Sequence, residues 1–274
     1  MTSRVRLLSP LFILLFTVIF IVPFLFMLVT AAKTQSEAAE LSFSLPSEWA
    51  LFQNISDAIK ARDYMLVTAF VNSIFVTVAS VAIVVILAAM VAYVLQRRAS
   101  KWTRVVDLLI LSGLIIPPAV VPTVWVLQEL SLFKTLSGLI LIEVAFHLSF
   151  CILLFRAFIS TIPRELDEAA TIDGAKPLRV FFSVIFPLLR SVTVTVVVVT
   201  SVAVFNDFVN PLYFLPGDDK PTVQLTLFNF QSQFETQYNL LFADILLITI
   251  PPLIMFMFFN RKIVEGMTAG AVKG

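Results

Sequence analysis

The chain has 274 residues, of which 59% are hydrophobic and 14% are charged, and its mean hydropathy is +0.98. This composition excludes an ordinary soluble globular domain and indicates an integral membrane protein. A net charge of +1 gives no sign of a polyanion-binding surface, so no nucleic acid partner is expected.

Six apolar stretches are long enough to be transmembrane helices, because a bilayer core of about 30 Å needs roughly 20 apolar residues per helix. They cover about 8–31, 66–95, 105–127, 138–158, 192–215 and 240–259. The first could pass for a signal peptide, but its apolar run over 7–29 exceeds the roughly 7–15 residues of such a segment. We therefore expect an all-α polytopic membrane protein with six transmembrane helices and both termini on one side.

The distribution of Lys and Arg between the loops predicts the orientation, since cytoplasmic loops carry an excess of basic residues. One side would carry Arg4, Arg6, Arg97, Arg98, Lys101, Arg104, Arg156, Arg164, Lys176, Arg179, Arg190, Arg261, Lys262 and Lys273. The other side would carry only Lys33, Lys60, Arg62, Lys134 and Lys220. Both termini and the connection at 159–191 are therefore expected to be cytoplasmic.

Two polar segments lie outside these spans and the 159–191 connection. Residues 33–65 are expected to form an external loop with a short surface helix around 54–62. Residues 260–274 form a cytoplasmic tail in which Gly266, Gly270 and Gly274 favour an extended chain. Binding of this tail to a partner and simple flexibility are both compatible with its glycines.

The third apolar stretch is interrupted by Pro117, Pro118 and Pro122 and also contains Gly113. Proline removes a backbone donor and clashes with the preceding turn, so we expect a kinked helix here. Such a kink is typical of a moving or pore-lining helix, but a static kink satisfied by neighbouring helices is equally compatible with the sequence.

The connection at 159–191 is polar and carries clear helix punctuation. Pro163 suits the first turn of a helix, and Asp173 followed by Gly174 suits its end, where glycine tolerates positive φ. Pro177 can open a second helix with a kink at Pro187, which we expect to continue into the fifth span. The result would be a rigid helix-turn-helix protrusion.

Polar side chains inside the membrane are costly and mark functional sites by default. Glu143 and His147 lie four residues apart in the fourth span, and Asn206, Asp207 and Asn210 cluster in the fifth. The second cluster favours a polar pathway because it falls deep in its span. Glu143 and, in the sixth span, Asp244 are instead expected near the outer interface, where they would be hydrated; lining the pathway is the alternative.

Catalytic chemistry is not expected in this chain. Its seven glycines lack the spacing of a phosphate-binding P-loop, and one His and one Cys give no metal cluster or activated thiol. Cys151 is interpreted as a core residue of the fourth span. Any coupling to ATP must therefore come from a partner.

The polar connection resembles the EAA motif of ATP-binding-cassette importer permeases. Residues 168–170 (Glu-Ala-Ala) are followed after three residues by Gly174, and after nine more by 184–187 (Val-Ile-Phe-Pro), where the family has Ile-x-Leu-Pro. The resemblance implies that the 159–191 segment is a docking loop with a coupling helix. The coupling residues it implies are Glu168, Ala169, Ala170, Asp173, Gly174 and Pro187.

Three further segments are similar to the carbohydrate-uptake branch, and in particular to the smaller permease subunit of maltose-type systems. These are 162–168 (Ile-Pro-Arg-Glu-Leu-Asp-Glu), 205–208 (Phe-Asn-Asp-Phe, with Phe205 in place of Trp) and 270–274 (Gly-Ala-Val-Lys-Gly). The resemblance implies a type I importer permease in the plasma or inner membrane of a prokaryote. The expected path for a sugar or related hydroxyl-rich solute comprises Phe205, Asn206, Asp207, Asn210, Glu143 and His147.

The same resemblance implies the partners. They are a second homologous permease forming a heterodimer, two ATPase subunits that bind ATP and Mg, an extracytoplasmic solute-binding protein, and membrane lipid. The chain itself is expected to hold no cofactor. The alternative is an ion-coupled secondary carrier in which Glu143, His147 or Asp207 would carry protons, but a docking loop has no role in such a carrier.

Overall fold

The computed structural model describes the backbone of residues 3–98, 100–231 and 236–271, and side-chain surroundings for residue 12 and for 15–259 within those ranges. The described residues are mostly helical. In chain order the helices are α1 (Ser3–Ala31), α2 (Gln35–Ala39), α3 (Leu51–Arg97), α4 (Thr103–Ile115), α5 (Val120–Glu129), α6 (Leu136–Ile159), α7 (Glu165–Ile172), α8 (Pro177–Val180), α9 (Phe186–Leu188), α10 (Arg190–Phe205), α11 (Val209–Phe214), α12 (Val223–Thr226) and α13 (Tyr238–Ala271). A π-helical turn lies at Phe181–Ile185, and a 3-10 turn lies at Leu227–Phe230.

Among the described residues, three helices are long and apolar enough to cross a bilayer by themselves, namely α3, α6 and the Tyr238–Phe259 part of α13. Two more crossings result if each bent pair counts as one, α4 with α5 and Pro177–Leu188 with α10. In α1, the segment Leu15–Ala31 is a shorter apolar helix. The prediction of an all-α membrane protein is confirmed, and the number of six spans stays a prediction.

The kink expected in the third span is a complete break. α4 ends at Ile115, α5 begins at Val120, and the two helices are bent by 117°. Ile116 is extended, with φ −76° and ψ 122°. The residue before a proline is pushed out of the helical region, and Pro117 followed by Pro118 imposes this restriction twice in succession.

The prediction that the helix after Pro177 continues into the fifth span is wrong. Pro177–Leu188 and α10 are bent by 79° at Leu189, whose ψ of 7° lies outside the helical range. Pro187 has no N–H to donate to the preceding turn, and the π-helical turn just before it widens the helix.

The fifth apolar stretch is also divided. α10 ends at Phe205 and the short helix α11 begins only at Val209. Asn206, Asp207 and Phe208 therefore lie in a break between two helices instead of in a continuous span. Asp207 explains the restart, because its Oδ1 accepts hydrogen bonds from the N–H of Val209 (2.9 Å) and of Asn210 (3.3 Å).

The expectation of an extended tail is wrong for the residues whose backbone is described. α13 continues without interruption to Ala271. Isolated glycines cost a helix only about 1 kcal/mol each relative to Ala, so Gly266 and Gly270 weaken this helix without ending it. The side chains from Asn260 onward and residues 272–274 lie outside the described part of the chain.

The chain divides into two compact units. The first comprises Met1–Phe70 and Pro221–Pro251, and its apolar core is formed by Ala31, Ala58, Phe230, Leu241 and Ala243. The surface helix expected around 54–62 is the first part of α3, which starts at Leu51. α3 is interrupted before the first unit ends, because residues 62–64 have φ of 46°, 55° and 59°.

The second unit comprises Val71–Lys220 and Pro252–Gly274. Its core joins the later part of α3, α6, α10 and the segment that follows α7. Phe155, Ile159, Ile185 and Leu189 are fully buried there. This unit contains both the proposed docking loop and the polar cluster of the fifth span.

Candidate functional site

The helix α7 has a sharply defined C-terminal end. Gly174 has a φ of 80° and donates its N–H to the carbonyl of Thr171 (3.0 Å), while Ala175 donates to the carbonyl of Ala170 (3.0 Å). Asp173 is the last residue before this turn. This pair of hydrogen bonds is a Schellman motif, in which the residue at positive φ satisfies carbonyls that the helix leaves free. Gly174 thus ends α7 and turns the chain back towards Pro177.

The motif residues of α7 lie on two different faces. Glu168, Ala169 and Ile172 are exposed, and Ile172 is 86% exposed. Ala170, in contrast, packs against the core of the second unit. The outward face therefore presents a carboxylate, a small residue and a large apolar side chain, while the inward face attaches the helix to the rest of the chain.

Asp167 also points inward. Its Oδ1 accepts a hydrogen bond from the hydroxyl of Tyr93 (2.7 Å), and its Oδ2 lies 2.8 Å from Nε of Arg97 as an ion pair. The Arg97 and Asp167 side chains are only 11% and 16% exposed. Sequence reasoning did not predict these contacts of Asp167, because the partners lie more than 60 positions away in the chain.

Pro187 lies on the return segment of the proposed docking loop and is exposed. The turn before it is aromatic. The ring centroids of Phe181 and Phe182 are 4.9 Å apart, and Phe186 lies 5.7 Å from Phe181. Phe186, which stands where the resembled family has Leu, therefore belongs to a ring cluster that packs the turn.

A cavity of about 610 Å³ lies in the second unit beside the break between α4 and α5. Four of the residues predicted for a solute path line it: His147, Asn206, Asp207 and Asn210. The rest of the lining is mainly apolar and comes from Gly113, Leu114, Ile115, Ile116, Pro117, Pro118, Phe146, Ala203 and Val209. The interrupted helices thus expose polar groups and non-helical backbone to the same cavity. Membrane proteins tolerate non-helical backbone within the bilayer only where it lines such a cavity or is buried in protein.

Polar contacts connect three elements behind this cavity. Asn210 donates from Nδ2 to Oε1 of Glu143 (3.2 Å), and Nε2 of His147 lies 3.5 Å from Oε2 of Glu143. Asp207 holds the start of α11 with one carboxylate oxygen. Within the described ranges its other oxygen, Oδ2, is buried without a hydrogen-bond partner. The Asp207 and Glu143 carboxyl groups also interact with each other, so both belong to one polar cluster beside the cavity.

The expected hydration of Glu143 and Asp244 is wrong. Glu143 is 1% exposed and Asp244 is fully buried. Glu143 is held by Asn210 and His147 in the second unit, and Oδ2 of Asp244 accepts a hydrogen bond from Thr226 (2.9 Å) in the first. Position along an apolar stretch predicts depth in the membrane, but it does not predict which side of a helix faces other protein.

Phe205 is the one predicted path residue that neither lines the cavity nor belongs to the polar cluster, and it is 6% exposed. Sequence reasoning missed Phe146 and the residues from Leu114 to Ile116 as lining residues. Pro117 and Pro118 were the sequence feature that could have identified these lining residues, since they predict an interrupted helix beside them.

Comparisons with known proteins identify this architecture. Residues 87–268 match the family described as "Binding-protein-dependent transport system inner membrane component". The chain is 30% identical to the melibiose/raffinose/stachyose import permease protein MelC of Bacillus subtilis, over 92% of this chain and 91% of that protein. It is 32% identical to the diacetylchitobiose uptake system permease protein NgcG of Streptomyces coelicolor, over 98% of this chain and 90% of that protein.

The fold has a solved counterpart. A bacterial ABC transporter involved in the import of the acidic polysaccharide alginate contains a chain that superposes with a TM-score of 0.83 at 20% identity, over 95% of this chain and 98% of that one. The chain is thus a transport subunit and not itself an enzyme. It belongs to the family of bacterial inner membrane components of binding-protein-dependent transport systems, the permeases of ATP-binding-cassette importers.

Proposed function

We propose that this permease forms half of the translocation pathway for a sugar or related hydroxyl-rich solute. A second homologous permease supplies the other half, two ATPase subunits bind ATP and Mg, and an extracytoplasmic binding protein delivers the solute. The related MelC and NgcG are permeases for melibiose, raffinose and stachyose and for diacetylchitobiose. These names support a carbohydrate substrate class.

The observation that carries the proposal is the division of α7 into two faces. Ile172 is 86% exposed, while Ala170 on the same helix is partly buried and packs against the core. A large apolar side chain on the exposed face of a helix is an anchor of the kind that fills a pocket on a protein partner. Glu168 adds a carboxylate that can pair with a basic residue there, and the ATPase is the partner that this face fits.

We propose six spans with both termini in the cytoplasm. The crossings are α1, the part of α3 after its interruption, α4 with α5, α6, α10 with α11, and α13. This arrangement places α7 on the side that carries most of the Lys and Arg residues, as the positive-inside rule requires. The 159–191 docking loop would then face the ATPases and the 33–65 loop the binding protein.

The cavity beside α4 and α5 is the proposed solute path in this subunit. Its wall combines apolar residues with the side chains of His147, Asn206, Asp207 and Asn210. Sugars present hydroxyl groups on a ring that also has apolar faces, and this mixture suits them. The polar side chains of this wall can hydrogen-bond to solute hydroxyls, in place of the water that those hydroxyls lose.

Docking is tested by co-purification of the ATPase with the permease from membranes. Ile172→Ala should reduce ATPase retention because it removes the apolar anchor. Phe52 is a matched control, because it is also 86% exposed but lies at the start of α3, on the proposed outer side. Retention that is unchanged by Ile172→Ala, or equally reduced by Phe52→Ala, would contradict docking through α7.

The path is tested by cysteine labelling in a Cys151→Ser background. Cysteines at Asn206 and Asn210 should react with small aqueous thiol reagents, and the rate should depend on the nucleotide state and fall with bound solute. Phe205→Cys is the matched control, since Phe205 adjoins Asn206 but is buried. Equal protection of all three cysteines in every state would place these residues in helix packing.

A further inference from the structure

The end of α3 and the start of α7 are joined by polar contacts that neither the proposed docking face nor the cavity uses. Tyr93 and Arg97 lie four residues apart on α3, so they share one face of the helix. Tyr93 donates to Oδ1 of Asp167 at 2.7 Å, and Arg97 Nε lies 2.8 Å from Oδ2. One carboxylate oxygen thus accepts a hydrogen bond and the other lies against the guanidinium as an ion pair, so two residues of α3 hold Asp167 in position.

The same turn of α3 also holds the backbone that leads into α7. Nη2 of Arg97 donates to the carbonyl of Ile162 (3.0 Å). In the opposite direction, Nη2 of Arg164 donates to the carbonyl of Gln96 (3.2 Å). The last turn of α3 thus contacts both the lead-in and the first turn of α7.

Tyr93 extends this junction to a third segment. Its ring lies 5.5 Å from that of Phe181, which is 2% exposed and begins the π-helical turn ahead of α10. One side chain therefore contacts the helix that enters the Gly174 turn and the segment that leaves it. A displacement of α7 relative to α3 would have to disturb this packing and the hydrogen bond to Asp167 together.

The Arg97–Asp167 ion pair is shielded from water and should be hard to separate. An exposed pair is worth about 0–1 kcal/mol because water and salt screen it, but the Arg97 and Asp167 side chains are only 11% and 16% exposed. Loss of one partner would leave the other largely out of water and without its counter-charge. The junction should therefore resist separation more strongly than a surface contact does.

We propose that Asp167 is the positioning residue that makes the docking helix and α3 move as one body. The inference rests on the proposed docking of α7. An eight-residue helix that is attached only by the apolar packing of Ala170 could pivot on its flanking turns. The hold of Tyr93 and Arg97 on its first turn removes that freedom, so displacement of α7 by the ATPase is transmitted to α3.

The test measures the number of solute molecules transported per ATP hydrolysed in proteoliposomes that contain the complete importer. Asp167→Asn keeps the shape of the side chain and removes its charge. It should lower this ratio about fivefold or more, within the usual range of coupling energies, while ATPase retention and the KM for ATP stay unchanged. A purely structural role would instead reduce assembled complex and basal hydrolysis together.

A double-mutant cycle shows whether Arg97 and Asp167 affect the transport ratio through their contact with each other or independently. If Arg97 and Asp167 act through each other, Arg97→Ala combined with Asp167→Ala should lower the ratio no more than the worse single variant. The matched control is Asp107→Asn, which breaks the Arg156–Asp107 ion pair between α4 and α6 and should leave the ratio unchanged.

The outcomes distinguish the two proposals. Three outcomes would overturn the positioning role and leave docking intact. The assembled Asp167→Asn complex could transport as much solute per ATP as the wild type, the losses of the two single variants could add in the double variant, or Asp107→Asn could lower the ratio as much as Asp167→Asn does. Unchanged ATPase retention in Ile172→Ala would overturn docking by a separate measurement.

Discussion

Asn239 donates a hydrogen bond of 2.9 Å from its Nδ2 to Oδ1 of Asn54, and both side chains are buried in the first unit. Asn54 uses its own Nδ2 to donate to the carbonyls of Ala31 and Lys33, each at 2.8 Å. One amide thus connects the end of α1, the start of α3 and the start of α13. Carbonyls at the end of a helix need such partners when they are out of water.

This network predicts the effect of substitutions at Asn54. Asn54→Ala leaves buried polar groups without partners and should destabilise the protein by about 1–3 kcal/mol. Asn54→Asp should be worse, because a carboxylate would face two carbonyl oxygens that also accept hydrogen bonds. Thermal unfolding in detergent measures the order of stability of these variants, with Asn54→Gln as a third variant. An Asp variant as stable as wild type would show that the network does not hold these helices.

At Gly174 the constraint is conformational and not steric. Its φ is 80°, yet a Cβ built there would meet nothing within 4 Å. Gly174→Val should therefore cost about 1–2 kcal/mol through backbone strain and reduce ATPase stimulation by loaded binding protein. Gly174→Asn should keep most of the stimulation, since Asn adopts positive φ more readily. Equal behaviour of the two variants would argue against the turn as the cause.

Gly113 presents the opposite case, because a Cβ at this cavity-lining position would collide with the Oγ of Ser149 on α6. Gly113→Ala should therefore reduce transport by displacing Ser149 or the wall of the cavity. In a Ser149→Ala background the same substitution should be tolerated, since the Ser149 Cβ would lie at 3.4 Å, near ordinary contact. Solute uptake by the wild type, the two single variants and the double variant gives the comparison, and additive losses would contradict close packing as the reason.

The Glu37 carboxylate should make the loop after α1 sensitive to acid. Hydrogen bonds from Ser47, and then from Thr34, lower the pKa of Glu37 to about 2. Because this pKa is lower in the folded protein than its ordinary 4.5, the stabilisation is complete above pH 4.5 and is lost as the pH falls towards 2. Hydrogen exchange of residues 34–47 should therefore accelerate over this range.

Glu37→Gln is the control for the acid effect, since its loop should exchange faster at neutral pH and show little further change on acidification. An acid response of equal size in this variant would assign the effect to other groups.

The helix breaks at the prolines of the third span and at Gly174 were predictable from sequence, while the breaks at Leu189 and at 206–208 and the long-range partners were not. Pro117 and Gly174 act on their own neighbours through fixed backbone preferences, so their local effects can be read from the chain. The severity of the α4 break depends on two successive prolines and exceeded the expected kink. Contacts such as that of Tyr93 with Asp167 join residues 74 positions apart. Periodicity gives each helix a polar or apolar face, but it does not state which helix that face will meet.

Ala169 and Ala170 of the proposed docking motif should differ in where mutations that compensate for a larger side chain arise. Ala169 is exposed, so if α7 docks as proposed, a larger side chain there should disturb the fit to the ATPase, and compensating mutations should arise in the ATPase gene. Ala170 is partly buried and packs against this chain's own core, so a larger side chain there should select suppressors within the permease, among the residues that surround it. Suppressor mutations for two adjacent residues of one motif are thus expected in two different genes.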